Sequence, residues 1–232
     1  MPERPPRLPR PKPRPPLLPL GAVPQEWGEL GKAIARFDLI VCDDDGEEVG
    51  DFLAIDSQNR LACIIHAKAS KDLHATSVTA LEAVGRQALA SLAFCSTTSL
   101  APKIRDKRWE SDVQANSTRL TGLKRVFKNS RSLDGPAILK EVTEALTNRS
   151  WSREIWILAA RLLDRGQFET SIRNGMKNRN WQLLMYIDSL GTACARGNAR
   201  LRIYCHQRPK KFDRGHVPCG KRNPQLRHAT RE

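Results

Sequence analysis

The chain lacks the segments that would place it in a membrane or outside the cell. No apolar run is long enough to cross a bilayer: the most apolar stretch, 181–195, has 15 residues and contains Asp188, whereas a membrane helix needs about 20 apolar residues. The early run LLPLGAV is short and interrupted by proline, unlike a secretory signal. These absences predict a protein of the cytoplasm with no membrane partner.

The sequence also lacks the usual spacings of metal-binding cysteines and of calcium loops. Its six cysteines include no CxxC pair, so we expect free cysteines that act as small apolar residues in a reducing compartment. The acidic run 43–45 lacks the alternation of a calcium loop, which favours a solvated turn.

What the chain does have is positive charge, a net +14, concentrated towards its ends. Residues 1–24 are rich in proline and carry five basic and one acidic side chain, and residues 207–232 carry eight basic and two acidic ones. Such compositions cannot build a packed core, so both ends are predicted to be disordered. The first is either a solvated linker or an arm for nucleic acid or a proline-binding module. The remainder, 25–206, is predicted to form one α/β domain.

The stretch from Gly50 to Ser70 predicts a hairpin that ends in chemically active side chains. Asp51 opens its first strand, and His66 and Lys68 close the second, on the same side because strand side chains alternate. The apolar run before His66 indicates a strand in the middle of a sheet. A lysine at such a place needs a partner, for which Asp51 is the candidate.

This arrangement resembles the motif of the PD-(D/E)xK nuclease superfamily, in which an Asp begins one strand and an acidic residue, any residue and Lys end the next. Asp51 and Lys68 match that motif, and His66 stands where the family usually has Glu or Asp. The resemblance covers most of 37–205. It implies a restriction-endonuclease-like fold, a mixed central sheet flanked by helices.

The resemblance also implies a divalent metal, Mg or Mn, held by Asp51, the carbonyl of Ala67 and a second side chain. That side chain is either His66 or, from the following helix, Glu82. A histidine ligand favours manganese, because magnesium prefers oxygen donors. Gln87 of the same helix is the residue expected to turn towards the site. The alternative for Glu82 is a surface ion pair.

Periodicity and turn residues predict the other elements. Helices are expected at 27–36, 78–94, 162–172 and 181–195, and strands at 37–42, 154–160 and 199–205. Residues 101–150 interrupt this alternation of strands and helices and are predicted to be a basic helical insertion.

The first part of that insertion is the predicted grip on nucleic acid. Residues 101–131 carry nine basic and three acidic side chains mixed with aromatic ones, and such groups neutralise phosphates and stack on bases. A solvated helical cover is the alternative. The candidate residues are Lys103, Arg105, Lys107, Arg108, Lys124, Arg125, Lys128 and Arg131.

The function expected from the resemblance is that of a metal-dependent endonuclease, with DNA as the favoured substrate, in a restriction, defence or repair setting. Lys68 would orient or deprotonate the attacking water. The alternative is an inactive nuclease-like module that binds nucleic acid or assembles with other subunits of a larger, helicase-linked protein. A structural domain whose basic tails alone bind RNA is a third interpretation.

Overall fold

A computed structural model describes residues 28–43, 49–70, 77–95, 109–115, 118–175 and 177–206. Within these ranges the chain forms a six-stranded sheet, a separate two-stranded sheet and five α-helices. The helices are α1 (Gly28–Ala35), α2 (Val78–Ser91), α3 (Gly135–Thr147), α4 (Arg165–Arg173) and α5 (Asn178–Arg196). The strands are β1 (Leu39–Cys42), β2 (Phe52–Asp56), β3 (Leu61–Ala69), β4 (Asp112–Ala115), β5 (Thr118–Lys124), β6 (Val126–Asn129), β7 (Ser152–Asp164) and β8 (Arg200–His206).

The large sheet is mixed, with the strand order β6-β1-β2-β3-β7-β8. Its first four strands pair antiparallel, whereas β3, β7 and β8 run parallel. Parallel neighbours need long crossovers, which α2 and α3 supply before β7 and α4 and α5 supply before β8. Residues 153–160 of β7 are buried throughout, as expected for a strand covered on both faces. The predicted mixed sheet with flanking helices is confirmed.

Two apolar layers lie on the two sides of this sheet. On one side, here called the helical face, α2, α3 and α5 pack over Leu53, Ile64 and Ile157. On the other side, here called the opposite face, α1 and the β4–β5 hairpin pack over Cys63 and Ile65. Alternation along β3 decides which side chains belong to each layer.

The prediction of a helix over 162–172 is wrong at its start, because the strand continues to Asp164. Arg161 adopts a positive φ of 61° and is exposed, and β7 then resumes with buried side chains at 162–164. The Asp164 carboxylate accepts a hydrogen bond from the Gln167 amide and so caps α4. The apolar pair at 162–163 therefore belongs to a bulged strand, and the helix begins at Arg165.

The predicted helical insertion is correct only in its second half. Residues 112–115, 118–124 and 126–129 form β4, β5 and β6, and β6 joins the large sheet beside β1. The second half is helical, as predicted: Pro136 lies in the first turn of α3, and Asp134 accepts a hydrogen bond from the Ala137 amide.

Several expectations concern residues outside the described ranges. The predicted disorder of 1–24 and 207–232 is among them. In the described part of the chain, no helix has the length and apolar character to cross a membrane. The five cysteines there are free thiols, four of them buried, and burial raises the pKa of Cys95 to about 11.

Candidate functional site

Asp51 and Lys68 lie at the same end of the hairpin formed by β2 and β3. The register pairs Phe52 with Ile65, so Asp51 stands opposite His66 and shares the helical face with it and with Lys68. Same-face neighbours that are diagonal across two strands lie about 7–8 Å apart. The Asp51 Oδ2 atom accepts a hydrogen bond of 2.6 Å from the Ala67 amide. The carboxylate is therefore fixed one residue before Lys68.

His66 is buried beneath α2 rather than open to solvent. It is 2% exposed, and its Nε2 atom lies 2.9 Å from the Ser91 hydroxyl. That hydroxyl also contacts the carbonyls of Val49 and Gln87. Because its single proton goes to a carbonyl, the hydroxyl oxygen accepts from the imidazole N–H. Burial lowers the pKa of His66 to about 4, so the ring is neutral and ties α2 to β3.

Glu82 and Gln87, the two residues of α2 predicted to reach the site, make no contact with Asp51 within the described part of the chain. The Gln87 side chain is exposed, while its neighbours Val84 and Ser91 are buried. Glu82 is half-buried, and its carbonyl accepts a hydrogen bond of 3.2 Å from the Tyr186 hydroxyl of α5. This part of α2 therefore faces α5.

Asp51, His66 and Glu82 do not form a three-ligand metal cluster. Within the described ranges, no three His, Cys, Asp or Glu side chains come together in a way that could hold a metal ion. The register and the Asp51–Ala67 hydrogen bond place the Asp51 carboxylate and the backbone of Ala67 at the end of β3 that carries Lys68.

The predicted nucleic-acid residues 124–131 all make contacts inside the domain. Lys124 forms an ion pair of 2.8 Å with Asp112. Lys128 donates a hydrogen bond of 2.9 Å to the carbonyl of Ala35 at the end of α1. Arg125 is only 2% exposed. Their contact with nucleic acid stays a prediction.

Arg131, the last of this group, bridges two acidic residues, with N–O distances of 2.6 Å to Asp38 and 3.0 Å to Glu141. It therefore joins the start of β1 to α3. The candidates Lys103, Arg105, Lys107 and Arg108 lie outside the described residues.

Sequence reasoning missed a charged cluster around Glu154 on the opposite face. Arg202 donates two hydrogen bonds of 2.8 Å to its two oxygens, and Arg36 and Trp156 donate at 3.0 and 2.7 Å. Burial alone would raise the pKa of Glu154, but the bonds from Arg202 and Trp156 lower it below the usual value. An acidic residue at the start of a buried strand was the available signal, because it must find partners.

No family model matches the chain, and neither curated proteins nor solved structures give a match. The positions of Asp51, Lys68 and their neighbours are therefore what indicates a function.

Proposed function

We propose that this chain is a metal-dependent nuclease of the restriction-endonuclease-like type, which hydrolyses phosphodiester bonds in nucleic acid, DNA being the favoured substrate. The observation that carries the proposal is the Asp51 carboxylate bound to the Ala67 amide, directly before Lys68, at the end of two neighbouring strands. The mixed sheet with flanking helices is the architecture that goes with such a site.

The donors near Lys68 fit a cation that is completed by the substrate. Asp51 and the Ala67 carbonyl would hold Mg or Mn; magnesium keeps several waters and takes only one or two carboxylates besides substrate phosphates. When bound, such an ion polarises a phosphoryl oxygen and lowers the pKa of a coordinated water. In this proposal His66 is not a metal ligand: the neutral ring, hydrogen-bonded to Ser91, holds this end of β3 against α2.

Lys68 is the residue proposed to act on the reacting groups. It is half-buried, and in the described ranges the ion pairs do not include it. Its ammonium is therefore available to orient the attacking water and to offset negative charge that develops on the phosphate.

The test is cleavage of plasmid, single-stranded DNA and RNA by the full chain with Mg or Mn. Asp51→Asn keeps an oxygen acceptor for the Ala67 amide but removes the charge, and Lys68→Ala removes the ammonium. We expect each change to lower the cleavage rate at least about 100-fold, while Lys140→Ala, an exposed lysine of α3, leaves it unchanged. Full cleavage by Lys68→Ala would contradict the proposal.

The second candidate is an inactive nuclease-like module that binds nucleic acid or assembles with other subunits. It is favoured by the neutral, hydrogen-bonded His66 and by Glu82 lying next to α5. Binding of the same nucleic acids in EDTA, together with no cleavage at any metal concentration, would select this candidate.

A further inference from the structure

The corner between α4 and α5 exposes large apolar side chains. Ile172, Trp181 and Met185 are 41%, 50% and 57% exposed, and Trp181 and Met185 lie one turn apart on the same face of α5. The Asn180 side chain donates a hydrogen bond of 2.9 Å to the Ser171 hydroxyl, which holds the end of α4 against the start of α5. We call this the α4–α5 corner, which comprises Ile172, Arg173, Lys177, Arg179, Trp181 and Met185.

The corner carries three cations that form no salt bridge within the described residues, although Arg173 interacts electrostatically with Glu169 one turn earlier. Residues 170–187 contain three basic and no acidic side chains, and Arg173, Lys177 and Arg179 are all exposed. In the part of the chain that the structure describes, the ion pairs include none of these three. They differ in this from Lys124 and Arg131, which are paired.

The corner lies at the end of the sheet that carries Asp51 and Lys68. Strands β3 and β7 run parallel, with Lys68 opposite Ala159, so both strands end on that side. Helix α4 begins directly where β7 ends, and α5 then returns along the helical face to the start of β8. The first turns of α5 are therefore on the side of the Asp51 carboxylate.

We propose that the α4–α5 corner binds single-stranded nucleic acid, with a base stacked on Trp181 and phosphates contacted by Arg173, Lys177 and Arg179. An unpaired strand offers both a negative backbone and open base faces, whereas a duplex hides the faces of its bases. A purely apolar peptide would match Trp181 and Met185 but would leave three cations without partners. The proposal rests on the proposed function in one respect: the bound strand would be the substrate of the Asp51–Lys68 site.

Binding is measured without metal, so that it does not depend on cleavage. Fluorescence anisotropy of labelled oligo(dT) and oligo(U) is compared with that of a labelled DNA hairpin, using the full chain in EDTA at several salt concentrations. Trp181→Ala removes the stacking face, and Trp181→Phe keeps an aromatic ring. Arg179→Ala removes one cation, and its matched control is Arg196→Ala, an exposed arginine at the other end of α5.

We expect Trp181→Ala to weaken binding of the single strands about tenfold or more, with little effect on the hairpin, and Trp181→Phe to restore most of it. Arg179→Ala should reduce the slope of log affinity against log salt by about 0.7, whereas Arg196→Ala should not. Unchanged thermal melting of each variant shows that the fold is intact.

Unchanged single-strand binding by Trp181→Ala overturns this inference, and so does an equal loss on single strands and hairpin. Concentration-dependent dimerisation that Trp181→Ala abolishes in sedimentation also overturns it, because a second copy would then occupy the corner. A Trp181-dependent preference for single strands without any cleavage supports the inference and counts only against the nuclease proposal.

Discussion

Mild acid should destabilise this domain through His66. The pKa of the buried imidazole is about 4, against an ordinary value of 6.5, because burial disfavours its charged form. The unfolded chain therefore takes up a proton as pH falls through 6.5, while the folded chain stays neutral until about pH 4. The stability that comes from the neutral ring is complete above pH 6.5 and is lost progressively between pH 6.5 and pH 4.

The magnitude follows from the difference between the two pKa values. One pKa unit is about 1.4 kcal/mol, so this difference is worth about 3 kcal/mol below pH 4 and about 2 kcal/mol at pH 5. With His66 only 2% exposed and bonded to Ser91, solvent has little access to reduce the effect.

The assay compares wild type with His66→Gln by urea unfolding at pH 7 and pH 5, in EDTA. Glutamine keeps an N–H donor for Ser91 but does not titrate in this range, and all other titrating groups are common to both proteins. Relative to His66→Gln, the wild type should lose about 2 kcal/mol of unfolding free energy between pH 7 and pH 5. A difference between the two proteins that is the same at both pH values would refute the reasoning.

Two further predictions concern stability at neutral pH. Glu154→Gln should lower the free energy of unfolding in urea by about 2 kcal/mol, because hydrogen bonds between charged groups are lost. The loss is no larger because the arginine partners are one-third exposed and keep some solvation. The control Glu144→Gln, at an exposed position of α3, should change it little. The pKa of Glu154 is lowered, so its contribution is complete above the ordinary carboxyl pKa and is lost as pH falls below it, which the same titration in acid would detect. Gly85→Ala places a methyl group 2.2 Å from the Tyr186 hydroxyl oxygen and should destabilise by about 1–3 kcal/mol, whereas Gly191→Ala meets nothing within 4 Å and should stabilise by about 0.5–1 kcal/mol. A Gly85→Ala protein as stable as wild type would contradict the packing of α2 on α5.

Local patterns predicted the central hairpin because its determinants are close together in sequence. The apolar run 61–65 is buried as expected, and the Asp56 carboxylate binds the amide and side chain of Asn59 in the turn. Helix α5 and strand β8 were also predicted at nearly the observed limits, since Gly197 and Asn198 separate two clear periodicities. In each case a few neighbouring residues decide the conformation.

Distant partners account for most of what the sequence did not show. A histidine at the end of β3 has the same local pattern whether it binds a metal or the Ser91 hydroxyl 25 residues later. Arg131 lies in a basic stretch, yet its partner Asp38 lies far away in sequence, just before β1. Such pairings depend on the tertiary fold, so composition along the chain cannot assign them.

The same reasoning decides where an anionic polymer would meet this domain. A phosphate that approaches Lys124 or Arg131 must compete with carboxylates already 2.8 and 2.6 Å away, so much of the electrostatic gain is cancelled by the broken ion pair. Lys177 and Arg179 form no ion pair within the described chain, and Arg173 has only the more distant Glu169; all three lie towards the end of the sheet that carries Asp51. The three cations of the α4–α5 corner should therefore contribute more to binding of an anionic polymer than Lys124 and Arg131, whose charges are already neutralised by ion pairs within the domain.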